Sequence, residues 1–266
     1  AAYFEIMNSR GEQLQEHEII KALMMKELNS RQRTMFSSVW DACSQMSIPI
    51  QKTLRDYRLN NQLPLFGQYY DSLCTDYLDE YKSNTTDCQT LSIDDILLSI
   101  NAGQNAISNV EDAEIKYESI IDFPNFLMHL FKQLDGEVQL NANHLLDSYD
   151  SIKSIISPMD FIKRMLKTRC LFDRYIIKSQ GEGEEDENIK WKMLKPYLFY
   201  SKTKKENSLR FKNTFSGNYY EADENEQEND IQKRIIMQQS MLQVTFRNKK
   251  YKNWLFDLLT WLYDNE

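Results

Sequence analysis

The sequence predicts a mainly α protein, an irregular multi-helix bundle that admits short strands only over residues 189–220. Three observations lead there. The 266 residues include 7 Gly and 5 Pro, few for an all-β chain, which needs a turn every several residues. Apolar residues recur three and four apart along most of the chain. Hydrophobic residues make up 41% and charged residues 27%, a balance that supports a packed core and argues against global disorder.

The elements follow in order. Ile20, Leu23, Met24 and Leu28 form the stripe of a helix starting near Gln15, with Leu14 extending it back one step. Glu16 and Glu18 suit its N-terminal dipole and Lys26 its C-terminal one, although Gln15 is a poor cap. A second helix over 31–46 carries Phe36, Val39, Trp40 and Cys43, and Pro49 separates it from a short polar helix over 50–60. Residues 64–81 are rich in aromatics, 82–91 read as a loop, and Ser92 caps a helix ending near Ile100. Residues 101–118 are polar and read as loop.

Phe123 to Leu134 presents a wide apolar face and Gly136 stops it. A helix spans 143–156, capped at Asn141 or Asn143. The next opens on Pro158, where a helix tolerates proline, and runs to about Ile177. Acidic loops lie near 181–187 and 221–230. The last helices cover 229–245 and 251–264, with Ile235, Ile236, Met241, Leu242, Trp254, Leu255, Leu258, Leu259 and Leu262 as their core faces.

The formal charge is −8, which argues against a surface basic all over but leaves room for a local patch. Cys43, Cys74, Cys88 and Cys170 form no CxxC pair, which suits free thiols. No apolar run is long enough to span a membrane, and a cytoplasmic location is expected. The chain opens on Ala1-Ala2-Tyr3-Phe4 without an initiator Met, as a piece of a longer protein would.

The sequence offers little classical chemistry. His17, His129 and His144 stand apart from one another and from the cysteines, so no metal site is expected. No Walker A loop, GxSxG or GxGxxG occurs. Two basic clusters remain. Lys202, Lys204 and Lys205 lie near Phe199, Tyr200 and Phe211; Arg247, Lys249, Lys250 and Lys252 lie beside Tyr251 and Trp254. Cations interleaved with aromatics hold phosphates and stack bases, but the same pattern describes a solvated loop.

The remaining candidate is the turn Asn8-Ser9-Arg10-Gly11 ahead of the first helix. A helix start offers free N–H groups to an anion, Arg10 adds a bidentate phosphate contact, and Gly11 permits close approach. Equally, Asn8 and Gly11 serve turn geometry while Arg10 pairs with Glu12.

The stretch Phe4-Glu5-Ile6-Met7-Asn8-Ser9-Arg10-Gly11-Glu12-Gln13-Leu14, followed by Glu18 and Lys21, resembles the FExxNxxGxxL…E…K signature of the GmrSD-type restriction endonuclease family, which has a ParB-like N-terminal domain. Residues 123–129, 161–175 and 240–245 with Trp254-Leu255 resemble that family's helical region. The resemblance implies nucleotide-stimulated cleavage of modified or foreign DNA in bacterial defence. It assigns 1–30 to the C-terminal edge of the ParB-like nucleotide-handling domain and 31–266 to a helical domain. The family's DGQQR motif and its HNH-like nuclease motif do not occur here. The chain is therefore expected to be catalytically incomplete and to hold no cofactor itself, with a nucleoside triphosphate belonging to the longer protein. Asn8, Arg10 and Gly11 are the edge of a nucleotide site on this resemblance, and DNA and the flanking domains are the expected partners.

Overall fold

The computed structural model describes residues 15–56, 65–66, 72–79, 117–180, 190–201, 206–216 and 230–266. Helices dominate. The first pair is α1 (Glu16–Lys26) and α2 (Ser30–Ser44). Gln15 makes no side-chain cap to α1. Asn29 and Gln32 form a reciprocal capping box on α2: the Asn29 side chain accepts from Gln32 N at 3.0 Å and the Gln32 side chain from Asn29 N at 3.1 Å. The predicted faces are buried: Ile20 and Met24 on α1, and Phe36, Val39, Trp40 and Cys43 on α2. His17 is half-buried with its ring edge-on to Phe123 at 5.3 Å.

The third helix, α3 (Ile50–Asp56), is less polar than its composition suggests, because Ile50, Gln51, Thr53 and Leu54 are all buried. Next come α4 (Phe123–Leu134), α5 (Leu145–Ile152) and α6 (Pro158–Tyr175). Asp122 and Ser157 cap α4 and α6, each just ahead of a proline in the first turn. The helix expected over 143–156 is divided. A 3-10 turn, Ala142–His144, is capped by the Asn141 side chain, and α5 begins only at Leu145.

Aromatic rings join these helices. Phe36 stacks on Trp40 at 5.7 Å, Trp40 meets Phe123 edge-on at 5.6 Å, Phe126 meets Phe172 at 5.9 Å, and Phe131 meets Phe161 at 5.8 Å. Such pairs add about 0.5–1.5 kcal/mol each beyond their area burial. Ile20 and Met24 of α1, and Leu255 and Leu259 near the C-terminus, belong to the same buried cluster.

Inside this apolar core α6 carries a charged group that fixes the corner between α2 and α3. Arg169 is fully buried. Its Nε donates to Cys43 O at 3.3 Å, and its Nη2 to Gln45 O at 3.1 Å and Ile48 O at 3.0 Å. These carbonyls belong to the end of α2 and the turn after it, where backbone acceptors lack helical partners and a cation is favoured. One turn further along α6, Asp173 accepts from Ile50 N at 2.7 Å, at the start of α3, where an anion is favoured. Asp173 also accepts from Arg169 and from Lys178. Burial alone would push its carboxyl up, but Arg169, Lys178 and the Ile50 N–H together hold it below the usual carboxylate range. The Lys178 ammonium is pulled down, by burial first and then by Arg169, against the opposing pull of Asp173.

The strands are short. β1 (Glu118–Ser119), β2 (Lys178–Gln180) and β3 (Lys190–Lys192) make an antiparallel three-stranded sheet in that order, with Glu118 opposite Ser179 and Ser179 opposite Trp191. β4 (Leu194–Ser201) and β5 (Glu206–Asn213) form an antiparallel pair running from Leu194↔Asn213 to Ser201↔Glu206. The last three fall where strands were expected. β1 and β2 fall in stretches read as loop or helix end, because two or three residues are too few to show alternation.

The chain closes with α7 (Asp230–Thr245) and α8 (Asn253–Asn265). The core face expected of α7 does not hold as a whole. Ile236 packs on the core, but Leu242 is exposed and Met241 is 62% exposed. Two glutamines seven residues apart dock the helix instead. Gln232 donates to Met193 O at 3.0 Å and Asn213 Oδ1 at 2.8 Å, and accepts from Phe215 N at 3.1 Å. Gln239 donates to Tyr175 O at 2.9 Å and accepts from Ile177 N at 3.0 Å. Gln239 satisfies backbone groups just past the end of α6, and Gln232 satisfies the Phe215 N–H just past the end of β5.

Candidate nucleic-acid interface

Of the residues singled out from sequence, Asn8, Arg10 and Gly11 of the opening turn and Lys202, Lys204 and Lys205 of the first basic cluster lie outside the described residues. So does the segment 92–100. The second basic cluster is described in full, and it forms the link between α7 and α8.

That link is a built turn. The Lys252 side chain, 1% exposed, runs beneath it and donates to Gln243 Oε1 at 2.7 Å and Phe246 O at 2.6 Å. Burial pulls its ammonium down to about 8. Tyr251 takes a left-handed backbone conformation, φ 56°, and its N–H donates to Leu140 O at 2.9 Å. A bulky residue there carries backbone strain, which persists only where the surroundings hold it. Asn248 turns the chain by accepting from Lys250 N at 3.0 Å.

This frame sets what the link shows to solvent. Phe246 is 54% and Tyr251 53% exposed, an aromatic at each end of the basic run. Arg247 between them is exposed and meets no carboxylate among the described residues. Lys249 reaches Asp122 at 3.9 Å, and Lys250 donates to Asn143 Oδ1 at 2.9 Å. Both contacts lie at the surface, where an ion pair is worth at most about 1 kcal/mol and can be exchanged for a phosphate. Chemically the link offers three ammonium or guanidinium groups between two rings, an arrangement that suits a nucleic-acid backbone with accessible bases.

The β4–β5 pair has a related surface. Arg210 lies 3.7 Å over the Phe199 ring, and Lys212 lies 5.5 Å from the Tyr197 ring centroid. These cations are already committed to rings on their own sheet.

Of the three histidines, His129 is buried in the core. Burial, then Lys252, lowers His129 to about 3, so it is neutral, and it stacks on Phe256 at 6.4 Å. His144 is exposed beside Asp147 at 3.6 Å. Cys43 is buried and burial pushes its thiol up to about 12, which leaves it unreactive. Among the described residues no group of His, Cys, Asp or Glu could hold a metal ion, and no helix is long and apolar enough to cross a membrane.

Comparison of the chain with protein-family models, characterised proteins and solved structures found no match.

The signals that sequence reading missed are Gln232 and Gln239, polar residues on an amphipathic helix, where periodicity assigns them to solvent. Lys252, read as a member of the basic cluster, is instead buried beneath the turn and bonded to Gln243 and Phe246, so it is not offered to a phosphate.

Proposed function

We propose that the chain is the helical scaffold of a nucleotide-stimulated, DNA-targeting endonuclease of the GmrSD type, catalytically incomplete by itself, which contacts the DNA backbone through the α7–α8 link. The observation that carries this reading is the hydrogen-bonded Phe246–Lys252 turn, which presents Arg247, Lys249 and Lys250 between two exposed rings. The resemblance of the opening motif supports the nuclease class. The segments that carry the helical resemblance, 123–129 and 161–175, contribute Phe123, Phe126, Phe161 and Phe172 to one core, as a shared scaffold would.

Fluorescence anisotropy of duplex and single-stranded oligonucleotides over a salt series tests the reading. Three phosphate contacts give a log–log salt slope of about −2 to −3. Arg247→Ala is expected to reduce the slope by about 1. No binding at low salt, or binding without salt dependence, would reject the interface. At the gene level, a DGQQR motif upstream and an HNH-like motif downstream are expected; their absence would sink the nuclease class.

A helical protein-interaction module without a nucleic-acid role is the second reading. The exposed Met237, Met241 and Val244 of α7 favour it. It predicts that the oligonucleotide titrations stay flat at every salt concentration.

A further inference from the structure

The two aromatic residues at the ends of the α7–α8 link stand where the fold makes little use of their rings. Tyr251 holds φ 56°, a left-handed conformation that Gly or Asn adopts at less cost. Such strain is ordinarily offset by packing, yet Tyr251 stays exposed, and the bond that fixes its backbone, the N–H donated to Leu140 O, needs no ring. Phe246, just past the end of α7, is exposed as well. Its bonds to Leu242 O and from the Lys252 ammonium are made by its backbone N–H and carbonyl alone.

Elsewhere in this protein, rings beside cations are covered by them. Arg210 lies over Phe199 at 3.7 Å and Arg164 over Tyr263 at 4.3 Å. Arg247, Lys249 and Lys250 stand between Phe246 and Tyr251 in the chain, but among the described residues no cation lies over either ring. Lys249 is turned to Asp122 and Lys250 to Asn143 instead. Both rings are left to solvent.

Cations and free rings make different demands on a nucleic acid. Phosphates are accessible on a duplex and on a single strand alike, so the three cations do not choose between them. In a duplex the bases stack on one another, and a side-chain ring reaches a base face only where the strand is unpaired. This step rests on the nucleic-acid reading of the link: we propose that its ligand is an unpaired strand, whose bases stack on Phe246 and Tyr251 while Arg247, Lys249 and Lys250 hold its phosphates. Every base has a π-face, so the link grips the strand without reading its sequence.

Fluorescence anisotropy of the whole chain with labelled oligonucleotides of about 12 nucleotides tests the assignment. The probes are oligo(dT), oligo(rU), a duplex, and a strand of abasic sites that keeps the phosphates and removes the bases. Oligo(dT) should bind at least about tenfold more tightly than the duplex or the abasic strand. The tighter of oligo(dT) and oligo(rU) names the sugar. Phe246→Ala and Tyr251→Asn should each weaken oligo(dT) by about fivefold or more with the salt slope unchanged, whereas Arg247→Ala lowers the slope. Asn tolerates the left-handed backbone, so the Tm of Tyr251→Asn should not fall, which separates loss of a stacking ring from loss of fold. A duplex or abasic strand bound as tightly as oligo(dT), or ring variants that bind oligo(dT) as the unaltered chain does, would overturn the unpaired-strand assignment and leave the phosphate interface standing. Absence of binding to every probe at low salt would remove both.

Discussion

Replacing Asp173 with Asn isolates what the buried charges of α6 contribute. The substitution keeps the shape of the side chain and removes its charge. Arg169 and Lys178 then face each other in the core without a counter-charge, and an amide faces donors on three sides. Breaking a buried ion pair by removing one partner costs about 3–5 kcal/mol. A folded domain holds about 5–15 kcal/mol in all, so the variant sits near the edge of stability, with a Tm lowered by about 6–20 °C. The comparison that makes the test sharp is Lys178→Met. With Lys178 gone, Arg169 and Asp173 are balanced one to one, and Arg169 still holds the three carbonyls. That variant should cost less than about 1.5 kcal/mol, and its coupling to Asp173→Asn should be about 1–3 kcal/mol. Urea unfolding followed by tryptophan fluorescence, with Trp40 in the core beside Phe123, measures both. If Asp173→Asn costs under about 1 kcal/mol, or Lys178→Met costs as much as Asp173→Asn, the group is not organised around Asp173 and the account given for the α2–α3 corner is refuted.

Four further outcomes follow from the same structure. Because the Asp173 carboxyl lies below its ordinary value when folded, its contribution is complete above the unfolded value of about 4 and is lost as pH falls through the lowered value; acid titration of stability should be flatter in Asp173→Asn than in the unaltered chain. Lys252 is lowered to about 8 when folded, so the unfolded chain binds the extra proton above that pH; relative to Lys252→Met, stability should rise between pH 8 and about 10.4, and a flat difference would show that Lys252 is not buried in solution. Gln239→Ala strands Ile177 N and Tyr175 O, a loss of about 2–4 kcal/mol that should appear as faster hydrogen exchange across α7 before global unfolding. Phe126→Ala should cost about 3–5 kcal/mol by urea unfolding, since Phe126 is fully buried against Phe172.

The sequence by itself determined the helical class and most of the apolar faces. The stripes through Ile20 and Met24, Phe36 to Cys43, Phe123 to Phe131 and Phe161 to Phe172 are local patterns with a period of 3.6, and burial follows them because the hydrophobic effect is additive along a face. A helix start was legible where one residue type marks it, as with Pro158 in the first turn of α6. The second basic cluster was also legible as a string of residues, but its geometry was not: it depends on Lys252 turning inward and on Tyr251 bonding to Leu140, both of which need partners distant in the chain.

Only the tertiary structure decided where polar residues go. Arg169 and Asp173 stand closely spaced with the apolar residues of α6 in the sequence, and with Lys178 they become the corner joining α2 to α3 because backbone groups more than a hundred residues away lack partners there. Gln232 and Gln239 replace the apolar face expected of α7 for the same reason. Gln51 and Lys167 meet at one cavity although they are far apart in sequence. Apolar burial is non-directional and can be read from periodicity, whereas a buried polar group is defined by the one partner that satisfies it, and that partner is known only once the chain has folded.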